Sequence, residues 1–340
     1  MGSEEESAGP EHALDGVLLA VGGTPLVRLR RLFPDAPARL HAKLEGANPG
    51  GSAKDRPALH VLRRAIAEGR LRPGMVVVES SSGNFGVGLA QACGYLGYPL
   101  ICVIDARTTP QNAAILRAYG ARIETVTDPD PATGEFLPAR LRRVRELVEA
   151  LPGAFWPNQY ENLDNAAAHH VTMREIVQSL GGRCDYLFCA TSTCGTLRGC
   201  AEYCRANGLA TRIVAVDARG SAIFGGPTER RLVPGHGAAV RPGLFQADLA
   251  DEVVLVSDLD CVMGCRRLAR RESILAGGSS GGVVAAVERL LPALPAGADC
   301  VAILPDRGER YLDTIYSDAW VGEQLGAAAL ERLNGELAPV

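Results

Sequence analysis

The sequence predicts an α/β fold of two domains, each a parallel-type sheet flanked by helices, and three observations carry that prediction. Short β-branched runs alternate with helix-length segments from residue 38 onward, a pattern that puts helices on both faces of a parallel sheet. The composition is that of a packed globular chain, 47% hydrophobic and 22% charged, with 39 glycines, above the usual share of roughly 7%. At 340 residues the chain exceeds ordinary single-domain size, so two domains sharing a cleft are expected.

In chain order, the strand-like runs are Leu40 to Glu45, Met75 to Glu79, Leu100 to Asp105, Arg122 to Val126, Cys184 to Ala190, Arg212 to Asp217, Val253 to Ser257 and Cys300 to Leu304. Helical patterns fall at Phe85 to Leu96, Gln111 to Tyr119, Arg140 to Leu151, Ala166 to Leu180, Thr196 to Asn207 and Gly281 to Leu291. Residues 1–12 are acidic and read as a disordered tail. Gly and Pro cluster at Leu151-Pro152-Gly153 and at Gly225 to Gly243, as boundaries or loops should. The expected division is a smaller domain over 40–151 and a larger one from 13–39 plus 152–325. The Ala-rich end, 326–340, reads as a fraying surface helix.

Composition also excludes function classes. With 35 basic against 39 acidic residues, a net charge of -4 and no basic run laced with aromatics, nucleic acid is not an expected partner. No apolar stretch approaches the roughly 18 residues of a spanning helix, and the start Met-Gly-Ser-Glu-Glu-Glu is acidic where a signal peptide is basic, so a cytoplasmic protein without a membrane role is expected. The ten cysteines form no Cys-x-x-Cys pair and the six histidines stand at no ligand spacing from them, which disfavours disulfides and zinc. Only two of the basic residues are lysines, Lys43 and Lys54.

The usual phosphate-loop, dinucleotide and hydrolase signatures are absent. Three loops each follow a strand-like run, combine Gly with small hydroxyl residues and open a helix: Ser80 to Gly86, Thr191 to Thr196 and Gly277 to Gly282. Free N–H groups at helix starts bind anions, although any one such loop also serves simply to turn the chain. Lys54 follows the Gly-rich turn Asn48-Pro49-Gly50-Gly51-Ser52 and starts a helix. A helix start and burial both lower an amine pKa, as a Schiff-base lysine requires; a plain surface lysine at a helix start is the other reading. Lys43, inside an alternating strand pattern, reads as solvent-facing.

Taken in order, Gly50 to Arg56, Ser81 to Asn84, the Gly-Thr loop near 194, Gly277 to Gly281 and Pro305 to Tyr311 resemble the cysteine synthase and cystathionine β-synthase group of fold-type II, tryptophan synthase β-like, pyridoxal-phosphate enzymes, over roughly residues 17–316. The resemblance implies pyridoxal 5'-phosphate as cofactor, Lys54 as Schiff-base lysine and Cα base, Asn84 at the 3-hydroxyl oxygen, and Ser192, Thr193, Cys194, Gly195 and Thr196 as a phosphate cradle. It further implies Ser279 at the pyridine nitrogen, where it also reads as a helix cap, and Ser81, Ser82, Gly83, Asn84 and Gln159 as the grip on the amino-acid substrate. A homodimer is implied too, and neither a haem-binding segment nor a regulatory tandem domain is expected.

Three positions depart from the sulfhydrylase pattern. Phe85 stands where threonine is common and is expected to reshape the substrate pocket; Cys194 interrupts a Gly-Thr-Gly-Gly-Thr-like loop; Leu163 replaces a proline. Ser80 to Gly86, Gln159 to Asn165 and Val216 to Gly226 look instead like the N-(2-amino-2-carboxyethyl)-L-glutamate synthases. That branch implies O-phospho-L-serine and L-glutamate as substrates, in 2,3-diaminopropionate supply for a siderophore or peptide antibiotic. Arg219 is a candidate anion contact, or an ordinary surface arginine. The alternatives are a cysteine or cystathionine synthase using a sulfur nucleophile, and a catalytically silent binding homologue.

Overall fold

The computed structural model describes residues 16–336; the acidic tail expected over 1–12 lies outside them, as do residues 337–340. In chain order the elements are β1 (Leu26–Arg28), β2 (Arg39–Leu44), α1 (Asp55–Ala67), β3 (Val77–Ser80), α2 (Asn84–Leu96), β4 (Leu100–Asp105), α3 (Pro110–Ala118), β5 (Arg122–Val126), α4 (Phe136–Ala150) and α5 (Leu163–Ser179). There follow β6 (Tyr186–Ala190), α6 (Gly195–Ala206), β7 (Arg212–Ala218), β8 (Glu252–Val256), α7 (Asp258–Glu272), α8 (Gly278–Leu290), β9 (Asp299–Leu304), α9 (Asp318–Leu325) and α10 (Ala327–Glu336).

The strands form two sheets. The larger has the order β1-β2-β9-β6-β7-β8 and the smaller β3-β4-β5. All pairings are parallel except that of the short edge strand β1 with β2. The strand at 39–44, inside the segment assigned above to the smaller domain, pairs along its length with β9 and so belongs to the larger sheet.

Strand β4, Leu-Ile-Cys-Val-Ile-Asp, is buried at every position, as a central parallel strand covered on both faces must be. Along β6 and β7 the alternate side chains divide: Phe188, Val214 and Val216 pack toward α8, while Leu187, Cys189, Ile213 and Ala215 pack toward α5 and α6. A third apolar cluster joins α1, α2 and the smaller sheet. All ten cysteines are free and buried, acting as small apolar side chains.

Two expectations about exposure are overturned. Lys43 does not face solvent: it is 1% exposed, and its ammonium donates to Thr24 O and Glu175 Oε2, each at 2.6 Å. An alternating strand pattern assigns one face to water only when nothing covers it, and here α5 supplies a carboxylate to that face. The C-terminal helix is not wholly on the surface either, since Leu333 is fully buried against the apolar cluster of α7 and α9. Helix α7 escaped the sequence pattern, although Ser257 and Asp260 form a capping box at its start.

Candidate active site

The parallel sheets direct the loops after β3, β6, β7 and β9 toward common ground, where ligands bind in such folds. Helices α1, α2, α6 and α8 all begin there. Two close approaches make the convergence possible. Gly88 of α2 lies where a Cβ would come within 3.1 Å of Ala58 Cβ and 3.2 Å of Lys54 O, so its lack of a side chain lets α2 press closely against the start of α1. Gly277 faces Asp306, and a Cβ there would lie 2.0 Å from its Oδ1.

Asp306, just past β9, is the meeting point of three of the loops. It bridges to Ser52 in the lysine turn, accepts from Asn84 Nδ2 at 2.8 Å and from Tyr311 Oη at 2.5 Å, and its carbonyl accepts from Gly277 N at 3.1 Å. Arg310 donates to Asn84 Oδ1 and, at 2.6 Å, to Gly50 O. The Asn84 amide therefore has a fixed orientation, nitrogen toward Asp306 and oxygen toward Arg310. Burial raises the Asp306 carboxyl above its ordinary pKa.

Lys54 caps α1, its backbone N–H donating to Ser52 Oγ at 3.2 Å, and its amine reaches the fourth loop, 3.4 Å from Thr193 Oγ1. Burial lowers its pKa, which favours the neutral amine a nucleophile or base needs. In the loop before α6, Cys194 holds φ +64°, a left-handed conformation that glycine adopts more readily; this is the position where the family-like loop was interrupted. Thr193 Oγ1 accepts from Gly195 N at 3.4 Å, and Thr196 Oγ1 lies 3.2 Å from His169 Nε2. Burial keeps His169 well below its ordinary pKa, hence neutral. Ser192 stands in the same turn. Ser279 sits in the first turn of α8, but Gly277 is the N-cap and no side chain caps this helix; the hydroxyl is therefore not spent on capping.

The loop after β3 is organised from within and below. Ser81 Oγ accepts from Gly86 N at 2.9 Å, Gly83 is the N-cap of α2, and Ser82 Oγ accepts from Arg140 Nη1 at 3.3 Å. Gln159 Nε2 donates to Ser80 O at 3.1 Å. Phe85, expected to shape the substrate pocket, is 2% exposed and packed in the apolar cluster of α1 and α2. Arg219, just past β7, is exposed. Leu163 occupies the first turn of α5, a position that suits proline equally.

Sequence reasoning missed two charged residues here. Glu79, next to last in β3, is fully buried, accepting from Ser80 N at 2.7 Å, Trp156 Nε1 at 3.2 Å and Gln159 N at 3.3 Å, and burial pushes its pKa up to about 7. Arg140 on α4 faces Asp105, 3.2 Å from Nε to Oδ2, and its charge is felt by the Tyr160 hydroxyl. One arginine in the run Ala139-Arg140-Leu141-Arg142-Arg143 carries no sequence signal of its own; only the contact with Ser82, 58 residues away, singles it out.

A family model described as pyridoxal-phosphate dependent enzyme matches residues 17–306. The chain belongs to that family. It is 47% identical over 319 residues to an N-(2-amino-2-carboxyethyl)-L-glutamate synthase of Ralstonia nicotianae, covering 94% of this chain and 93% of that protein. A protein of the same name from Cupriavidus metallidurans is 44% identical, covering 94% of each. Among solved structures, O-ureido-L-serine synthase superposes with a TM-score of 0.83 at 32% identity, covering 92% of this chain and 100% of that one. This pyridoxal-phosphate dependent enzyme therefore has the fold-type II architecture and performs β-replacement. Its residues fit the cofactor: a lysine amine of lowered pKa, the N–H-bearing start of α6 beside it, and polar side chains at the starts of α2 and α8.

Proposed function

We propose that this enzyme condenses O-phospho-L-serine with L-glutamate to give N-(2-amino-2-carboxyethyl)-L-glutamate and phosphate. The observation that carries this reading is the 44% and 47% identity, over nearly the whole chain, to two proteins of that name, and the site geometry is consistent with it. Both substrates are anionic, and the loop after β3 presents hydroxyl and N–H groups backed by Arg140, a donor set suited to carboxylates and phosphates.

Lys54 would hold the cofactor covalently, residues 192–196 its phosphate at the start of α6, Asn84 its 3-hydroxyl oxygen and Ser279 its ring nitrogen. Bound there, pyridoxal phosphate supplies the electron sink that lets a Cα–H bond ionise. Lys54, neutral through burial, takes the proton from Cα and returns it at the end. Ser81, Ser82, Gly83 and Gln159 hold the substrate carboxylate. At Cβ the C–O bond to phosphate breaks and a C–N bond to the glutamate amine forms. Ser279, an uncharged hydroxyl, does not require a protonated ring nitrogen, which suits elimination and replacement at Cβ. In this reading the enzyme is a cytoplasmic homodimer feeding 2,3-diaminopropionate supply for a siderophore or peptide product.

The test is a mass-spectrometric product assay on cofactor-loaded protein given O-phospho-L-serine or O-acetyl-L-serine, each with L-glutamate or sulfide. The glutamate adduct from phosphoserine is the expected product. Cysteine as the sole product would assign the enzyme to sulfur chemistry instead.

A further inference from the structure

Residues 231–238 run between the starts of α6 and α8. At one end Gly237 N donates to Thr191 O at 2.8 Å and Ala238 N to Ser221 Oγ at 3.1 Å, beside the 192–196 loop. Nearer its other end Val233 is so close to Gly278, the neighbour of Ser279, that a Cβ on Gly278 would lie 2.4 Å from its Cγ1. Arg231 opens this segment. Its Nη1 donates to His236 O at 3.1 Å, whereas its Nε is buried without any hydrogen-bond partner.

Three acids influence this guanidinium, namely Asp217, Asp258 and Glu135, and none forms an ion pair with it among the described residues. Asp217 spends Oδ1 on Thr191 Oγ1 at 2.9 Å and Ala218 N at 3.0 Å, while its Oδ2 is buried without a hydrogen-bond partner; Asp258 accepts from Leu232 N and Val233 N. Glu135 is the N-cap of α4, the helix that carries Arg140. Arg231 thus stands on the larger-sheet side within electrostatic reach of the start of α4, whose Arg140 serves the substrate loop from the smaller-sheet side. Burial lowers the pKa of Arg231 despite its acidic neighbours. Arg231 is half-buried, and a buried guanidinium donor left idle is costly to maintain, while the planar fork it belongs to matches a carboxylate in particular.

We propose that Arg231 binds a carboxylate of the incoming amine substrate and thereby selects a dicarboxylic amino acid as the nucleophile. This rests on the glutamate reading above and deepens it: Arg140 and the loop after β3 serve the first amino acid, and Arg231 serves the second from the opposite wall. Arg219, although inside the segment that resembles the relatives, is exposed and is not needed.

The experiment measures steady-state kinetics of cofactor-loaded wild type, Arg231→Lys and Arg231→Met with O-phospho-L-serine and either L-glutamate or L-glutamine, alongside the absorbance change and phosphate release on adding O-phospho-L-serine alone. The expected result is a rise of at least tenfold in KM for glutamate in Arg231→Met, partial recovery in Arg231→Lys, and a collapsed preference for glutamate over glutamine, with the phosphoserine half-reaction within twofold of wild type. Melting curves establish that both variants are folded. An unchanged glutamate KM in a folded Arg231→Met overturns the inference alone, as does an equal change in phosphoserine KM or in cofactor affinity, which would assign Arg231 to the first substrate or to the cofactor phosphate. Wild type that forms no glutamate adduct overturns the function reading and this inference with it.

Discussion

Glu79 carries its carboxylate in the interior with three N–H donors and, among the described residues, no ion-pair partner. Its folded pKa, about 7, lies above the ordinary 4.5, so its contribution to stability is fully present below pH 4.5 and is lost as pH rises through 7. Thermal melting of wild type and Glu79→Gln between pH 5 and 8 should show this rise in stability toward low pH in the wild type and a flatter profile in the variant. Lys54→Ala is expected to abolish borohydride-stable attachment of the cofactor, read by mass spectrometry, and to reduce turnover by about 10²–10⁴-fold or more. Phe85→Thr should cost about 3 kcal/mol of stability in denaturant unfolding, by opening a cavity in the α1–α2 core, and leave the choice of nucleophile unchanged. Lys54 stood out locally, as one of two lysines and beside a Gly-rich turn, and Asn84 through the resemblance its motif carries. Asp306 lay in a matched segment, Pro305 to Tyr311, but its part in joining the loops was not legible: its bond to Asn84 spans 222 residues, and no pattern within a window encodes it.

At the scale of elements, the packing of α5 on α6 depends on a missing side chain. A Cβ on Gly199 would lie 2.0 Å from Ala166 O, a backbone atom that cannot rotate aside. Gly199→Ala should therefore force the two helices apart and destabilise the protein by about 1–3 kcal/mol, measured as a shift in urea midpoint. The loop before α6, proposed above to cradle the cofactor phosphate, should loosen with it, seen as weaker pyridoxal-phosphate binding. The strands were largely legible, because buried parallel strands are written as short apolar runs, and helices α2, α6 and α8 were legible from their Gly and hydroxyl starts. Strand β1 was not, having only three residues and a partly buried pattern. Helix α4 begins four residues before the pattern suggested, at Phe136, with Glu135 as its N-cap.

Across the whole molecule, a buried ionic network ties the larger sheet to the helices around the site. Glu175 of α5 meets Lys43 of β2 at 2.6 Å and Arg56 of α1 at 2.7 Å, and Arg56 meets Glu45 at 2.6 Å. These cations hold Glu175 at a pKa of about 2, below the ordinary 4.5, so its stabilisation is complete above pH 4.5 and is lost as pH falls toward 2. Glu175→Ala leaves Lys43 and Arg56 short of a partner and should cost about 3–5 kcal/mol, with the acid limb of the stability profile flattened. The network has a further consequence, for proteolysis. The 340-residue chain holds only two lysines; one is sealed in β2, and the other is packed at the start of α1 against the opposite loop. A lysine-specific endoprotease thus finds Lys43 closed to it in the native protein, and a cut there records an opening of β2 from the network that holds it.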